Sequence, residues 1–190
     1  MVEIKNLTKK YGSVTVLDNF ELSLQDNSKN VLMGDSGRGK TTLLRIISGL
    51  EKADEGTIRI DGNMAYMFQE PRLLPWKSTL DNVKAFLPKE HHALAEKYLS
   101  LVGLGDALKK HPSELSGGMA QRVAFARFLA YADASDAKLL LLDEPFSALD
   151  TNTARAMIEL LISASENRIL LLVTHDPHQA EAIGDRIINI

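Results

Sequence analysis

Gly34-Asp35-Ser36-Gly37-Arg38-Gly39-Lys40-Thr41 constrains this chain more than any other stretch. It fits G-x-x-x-x-G-K-[ST], a pattern whose glycines let the backbone curl until several N–H groups face one anion. A short apolar run, Val31 to Met33, leads into it. A helical pattern follows, with Leu43, Leu44, Ile46, Ile47 and Leu50 at helical spacing and a stop near Gly49. Strand, glycine-rich turn and helix in this order place a helix N-terminus against the anion. Lys40 is expected to neutralise the β- and γ-phosphates of a nucleotide, and the Thr41 hydroxyl to hold Mg2+. Gly34, Asp35, Ser36, Gly37, Arg38, Gly39 and Thr42 complete the expected lining of the cradle.

The remaining pattern indicates an α/β fold. Val2 to Leu7 alternates and Val14 to Leu24 is β-branched and aromatic, broken at Asp18-Asn19, so a small antiparallel β layer is expected. Thr57 to Ile60 and Ala65 to Phe68 read as strands separated by an Asp61-Gly62 turn. Strands return at Leu139 to Leu142, Ile169 to Val173 and Arg186 to Ile190, with helices at about Thr151 to Ser165 and Pro177 to Ile183. This alternation predicts a parallel sheet wound with helices. A mostly helical stretch, about 73 to 130 and punctuated by Pro75, Pro88 and Pro112, interrupts it. All 190 residues are expected to form one domain.

Composition excludes several chemistries. There are no cysteines, hence no disulfide, thiol nucleophile or cysteine-ligated metal. With 22 basic against 25 acidic residues and no long run of like charge, no nucleic-acid partner is expected. The apolar runs fall far short of the roughly 20 residues a membrane span requires. Any membrane role must therefore come through a partner.

Two further constellations narrow the chemistry. Leu139 to Leu142 is an apolar strand ending in Asp143 and Glu144. An acid there can coordinate Mg2+, and its neighbour can orient and deprotonate a water. Asp143 is assigned to the metal and Glu144 to the base. Ser116 is a good N-cap, and Gly117 and Gly118 expose the first N–H groups of the helix that follows. Two anion-binding helix starts in one chain make sense if each supplies half of a composite site in a dimer.

With these segments in order along nearly the whole chain, the sequence resembles the ATP-binding cassette family, whose core is the P-loop NTPase fold with an antiparallel β subdomain and an inserted α-helical subdomain. The resemblance implies that Tyr11 stacks on adenine, and that Gln69 reaches Mg2+ and the attacking water. It implies that Ser116, Gly117, Gly118 and Met119 contact the γ-phosphate held by a partner subunit. Ser147-Ala148-Leu149-Asp150 resembles the loop that crosses the dimer interface, and His175 the switch histidine that grips the γ-phosphate. Phe68 to Trp76, with Leu115 to Arg122, is similar to importer ATPases of the nitrate, sulfonate, taurine and thiamine-precursor group. Leu73, Leu74 and Trp76 then form a surface where a permease helix could dock.

The implied assembly is an ATP-hydrolysing homodimer or pair of ATPase subunits under an integral-membrane permease. It would lie on the cytoplasmic face of the membrane and be served indirectly by a solute-binding protein. An exporter or lipid-handling complex would share every catalytic residue. A chromosome- or repair-type ATPase would need a long coiled coil, and Thr41 to Leu115 has no sustained heptad pattern. Arg38 stands where a small residue is common in the family, and Met119 where glutamine is usual. The short connection after Asp61-Gly62 and the close of the chain soon after His175 predict a minimal cassette without a regulatory domain.

Overall fold

The computed structural model describes residues 1–190. Its elements are β1 (Val2–Tyr11), β2 (Val14–Leu24), β3 (Lys29–Met33), α1 (Lys40–Ile47), β4 (Glu55–Ile60), β5 (Met64–Met67), α2 (Thr79–Lys84), α3 (Ala93–Leu101), α4 (Gly117–Ala134), β6 (Leu139–Asp143), α5 (Thr151–Ala164), β7 (Ile169–Val173), α6 (Pro177–Ile183) and β8 (Arg186–Asn189). The chain divides into two compact units. The first comprises Met1–Met64, Lys138–Asp143 and Ser165–Ile190; the second comprises Ala65–Ala137 and Glu144–Ala164.

Two sheets build the first unit. Parallel strands run in the order β6-β7-β3-β8, and every residue of β6 and β7 is buried. Leucine and isoleucine fill both faces, as a sheet covered on both sides requires. In register, Asp143 pairs with Val173, while Val173 pairs in turn with Leu32. The C-terminal ends of β3, β6 and β7 therefore lie side by side. Helix α1 buries Leu43, Leu44, Ile46 and Ile47 and packs on β6.

The antiparallel layer is β2-β1-β4. Asp18-Asn19 does not break β2. The strand runs through, with Asn19 at φ 45° and the register with β1 shifting between Leu7 and Lys9, so the pair is absorbed as an irregularity. The chain bends at Gly62 after β4, as the Asp61-Gly62 pair predicts. β4 pairs with β1, and the Asn63 carbonyl beyond the turn accepts from the backbone N–H groups of Lys138 and Leu139 at 2.8 and 3.2 Å.

The second unit is mainly helical. Ser78 caps α2 by accepting from the Asp81 N–H at 3.1 Å. Helices α2 and α3 pack on α4, which is apolar over most of its circumference and buries Val123, Phe125, Phe128 and Leu129. Phe125 also meets Phe146 edge-on, with ring centroids 5.8 Å apart.

Candidate functional site

The first unit gathers its chemical groups beyond the C-terminal ends of β3, β6 and β7, the edge at which open α/β sheets hold ligands. From β3 the chain enters the loop Gly34 to Gly39. Gly37 and Gly39 sit at φ 83° and 88°. A Cβ on Gly39 would lie 2.7 Å from Val16 Cγ1, so no other residue fits where α1 begins. No side chain caps α1, whose first N–H groups stay available for an anion. Lys40 is 9% exposed, and its Nζ donates to the carbonyls of Gly34 and Asp35 at 2.6 and 2.7 Å. The ammonium is thus folded over the loop that should receive phosphate. Asp35, Ser36 and Arg38 are exposed; Thr41 and Thr42 are half-buried.

Asp143 closes β6 at 2% exposure. Burial pushes its carboxyl above the ordinary range, opposed by a hydrogen bond with Thr41 and by the charges of Arg45 and Lys40. His175 follows β7 on an exposed bend. Fully buried Thr174 holds that bend, its Oγ1 bonding Gln179 Oε1 at 2.9 Å and accepting from the Asp176 N–H at 3.2 Å. Asp176 then caps α6 by accepting from the His178 N–H at 2.9 Å.

Tyr11 ends β1 beside the Gly12-Ser13 turn, its ring 46% exposed. Its hydroxyl meets the Glu51 carboxylate and the Thr42 side chain, linking the ring to α1. The structure thus brings Tyr11, the cradle, Thr41, Asp143 and His175 together within one unit.

The second unit carries the other candidates. Gln69 is exposed just after β5. Glu144 is half-buried with φ 48°, a left-handed backbone rarely adopted by glutamate and worth attention beside an assigned metal ligand. Ser116 caps α4, its Oγ accepting from the Met119 N–H at 3.2 Å. Gly117 is exposed, and a Cβ on Gly118 would come within 3.3 Å of the Ala148 carbonyl, so the start of α4 lies against the loop Ser147 to Asp150. Asp150 caps α5 by accepting from the Thr153 N–H at 3.1 Å.

Three residues in the second unit have roles that reading the sequence misses. Gln121, 1% exposed, donates to the Pro145 carbonyl at 2.9 Å and so fixes the chain next to Glu144. Arg127 donates to the carbonyls of Pro71 and Arg72 at 2.6 and 3.0 Å. Asn82, fully buried, accepts from the Leu74 N–H at 2.7 Å and donates to the carbonyls of Leu74, Lys77 and Ser78. The available signal was a polar residue at an apolar position, which must find a buried partner. The partner itself could not be read.

A family profile described as "ABC transporter" matches residues 17–147. The aliphatic sulfonates import ATP-binding protein of Corynebacterium glutamicum is 43% identical, the match covering 97% of this chain and 78% of that one. A protein of the same description from Pseudomonas syringae is 44% identical over 98% of this chain and 68% of its own. Among solved structures, a dimeric ATP-binding cassette in a post-hydrolysis state with ADP and Pi superposes with a TM-score of 0.90 at 32% identity. That match covers 100% of this chain and 94% of the other.

Proposed function

Because the chain belongs to the ABC transporter family and is an ATP-hydrolysing cassette, we propose that it is the motor subunit of an importer for small organic anions of the sulfonate type, acting as a head-to-tail pair. The whole of 1–190 serves as one ATPase domain, with about 73–130 as its helical insertion. The observation that carries the reading is the alignment of β3, β6 and β7, which puts cradle, Asp143 and His175 at one edge.

In this scheme Tyr11 supports adenine, while the loop N–H groups and Lys40 hold the β- and γ-phosphates. Lys40 exchanges its two carbonyl partners for phosphate oxygens. A hydroxyl from Thr41 and a buried carboxylate from Asp143 adjoin, and these donors fit Mg2+; Gln69 would supply a further oxygen in the proposed scheme. No cluster of three or more acidic, histidine or cysteine side chains competes for a softer or larger ion. Such a sparse set suits an ion that keeps water and phosphate oxygens. When bound, Mg2+ would neutralise charge developing on the phosphate oxygens. Glu144 takes a proton from the attacking water, Gln69 orients that water and His175 contacts the γ-phosphate. Ser116 to Met119 of a second copy close the site from the other side, and Ser147 to Asp150 line the dimer interface.

No helix is long and apolar enough to cross a membrane. In the proposed assembly a permease supplies the span and holds the cassette at the cytoplasmic face. Two features of the second unit support docking there. Trp76 is 71% exposed on a loop that Asn82 fixes rigidly. A cavity of about 330 Å³ is lined by Phe68, Arg72, Phe86, Arg127 and Tyr131 among others. Arg72 lies over the Phe68 ring at 4.0 Å and Arg127 over Phe86 at 5.2 Å, an apolar hollow rimmed by cations.

The test is co-purification with the membrane partner, followed by ATPase and uptake assays in reconstituted vesicles. Trp76→Ala and Arg72→Glu should each lower coupled uptake by about 10-fold, the scale of losing an interface anchor. Basal ATPase activity of the isolated subunit should stay within roughly twofold. Equal loss of both activities would remove the docking assignment, and stimulation by solutes unrelated to anions would remove the substrate class.

A further inference from the structure

Tyr11 is braced from below by groups that the phosphate chemistry does not use. The brace starts at the end of α1, where Gly49 (φ 73°) reverses the chain. The Gly49 N–H donates to the Ile46 carbonyl at 3.1 Å and the Leu50 N–H to the Arg45 carbonyl at 2.9 Å. This double bond pattern is a helix stop of fixed geometry, and only a residue tolerant of left-handed backbone serves it cheaply. It delivers Glu51 beneath β1, where the carboxylate accepts from the Tyr11 hydroxyl.

Lys9 closes the arrangement. Two residues before Tyr11 on the same strand, it lies on the same face. Its Nζ is 3.3 Å from Glu51 and 3.7 Å from Asp54, donates to the Lys52 carbonyl at 2.9 Å, and sits 5.1 Å from the Tyr11 ring centroid. Phenol, carboxylate and ammonium form a ring of contacts around one aromatic side chain. The Lys9 and Glu51 side chains are 12% and 19% exposed, while Tyr11 is 46% exposed. The supports are therefore half-buried and the ring is exposed. The Tyr11 hydroxyl holds Glu51 below the usual carboxylate range, so the brace is charged at neutral pH.

We propose that Glu51, backed by Lys9, is a positioning residue for the nucleotide base: it fixes the Tyr11 ring in the plane on which adenine stacks. The inference rests on Tyr11 being the base platform. An unbraced phenol must lose side-chain freedom each time a base settles on it, at a cost borne by affinity. Fixed beforehand, the ring takes the base without that loss. A group acting through the phosphates would change tripolyphosphate affinity as well; a brace behind the base changes the affinity of the nucleotide alone.

The experiment compares binding of Mg-ATP with binding of magnesium tripolyphosphate, which has the phosphates and no base, by calorimetry on the full chain. Glu51→Ala and Tyr11→Phe should each weaken ATP by about 2- to 10-fold, the cost of immobilising one side chain. Glu51→Ala should leave tripolyphosphate unchanged, and its KM should rise while kcat holds. The double variant should fall short of additivity, because both substitutions remove the Tyr11–Glu51 bond while Tyr11→Phe also releases Thr42 and Glu51→Ala also releases Lys9. Tyr11→Ala is the control. If it leaves ATP affinity intact, the base-platform reading fails and takes the inference with it. If Tyr11→Ala weakens ATP but Glu51→Ala does not, the platform stands and the brace is overturned. Equal weakening of tripolyphosphate by Glu51→Ala also overturns it, since Glu51 would then act through the cradle. Tyr11→Phe keeps the ring's packing, so the comparison survives even if Glu51→Ala is poorly folded.

Discussion

Glu144→Gln should bind Mg-ATP and scarcely turn it over, with kcat reduced by about 10²–10⁴, the range lost with a general base. That corresponds to roughly 3–5 kcal/mol of barrier. The substitution is nearly isosteric and keeps the side chain's hydrogen-bonding reach, but an amide cannot accept the proton of the attacking water. The backbone should not notice. Its left-handed turn is held by groups other than the carboxylate: the Ser147 hydroxyl and N–H donate to the Glu144 carbonyl at 3.1 and 3.4 Å, and Gln121 grips Pro145. Folding and nucleotide affinity should therefore survive while chemistry stops, and ATP-bound dimer should accumulate. Phosphate release and gel filtration with and without ATP measure the two effects. Near-normal turnover would strip Glu144 of the role.

The contrast between what could be read and what could not follows the range of the interactions. Apolar runs such as Leu139 to Leu142 and Ile169 to Val173 declare buried strands by themselves, because strands covered on both faces need no alternation. The cradle declares itself for a similar reason: close backbone approach demands glycine at defined positions, and Gly39 against Val16 shows why. Asp18-Asn19 looked like a break because both residues suit turns, yet pairing with β1 on one side of it carried the strand through. Asp61-Gly62 is legible as a turn, whereas the bond from the following Asn63 carbonyl to the start of β6, distant in the chain, is not. Gln121, Asn82 and Arg127 act through backbone carbonyls of loops, and nothing in a carbonyl's sequence marks it as a partner. Glu51 belongs with these, since its bond to Tyr11 spans 40 positions.

The proposed pairing of two chains across one nucleotide yields the sharpest expectation. Lys40→Ala removes the cation folded over the loop. Ser116→Arg places a bulky cation at the cap of α4, where Oγ now accepts from Met119, and blocks the approach of that helix start. Each variant alone should be nearly inactive, since both composite sites of its dimer carry the defect. Mixed in equal amounts and allowed to exchange, they should regain activity. A heterodimer has one site with both defects and one with an intact Lys40 loop facing an intact Ser116 helix start. With random pairing about half the dimers are mixed, so about a quarter of the wild-type sites are restored, as two-fold symmetry requires. Turnover per chain should also fall off on dilution below the dimer's dissociation constant. If the mixture stays silent and the wild-type rate remains proportional to protein at monomeric concentrations, each chain must complete its own site. The Ser116 helix start would then have no anion to face, because a second copy is what brings one to it.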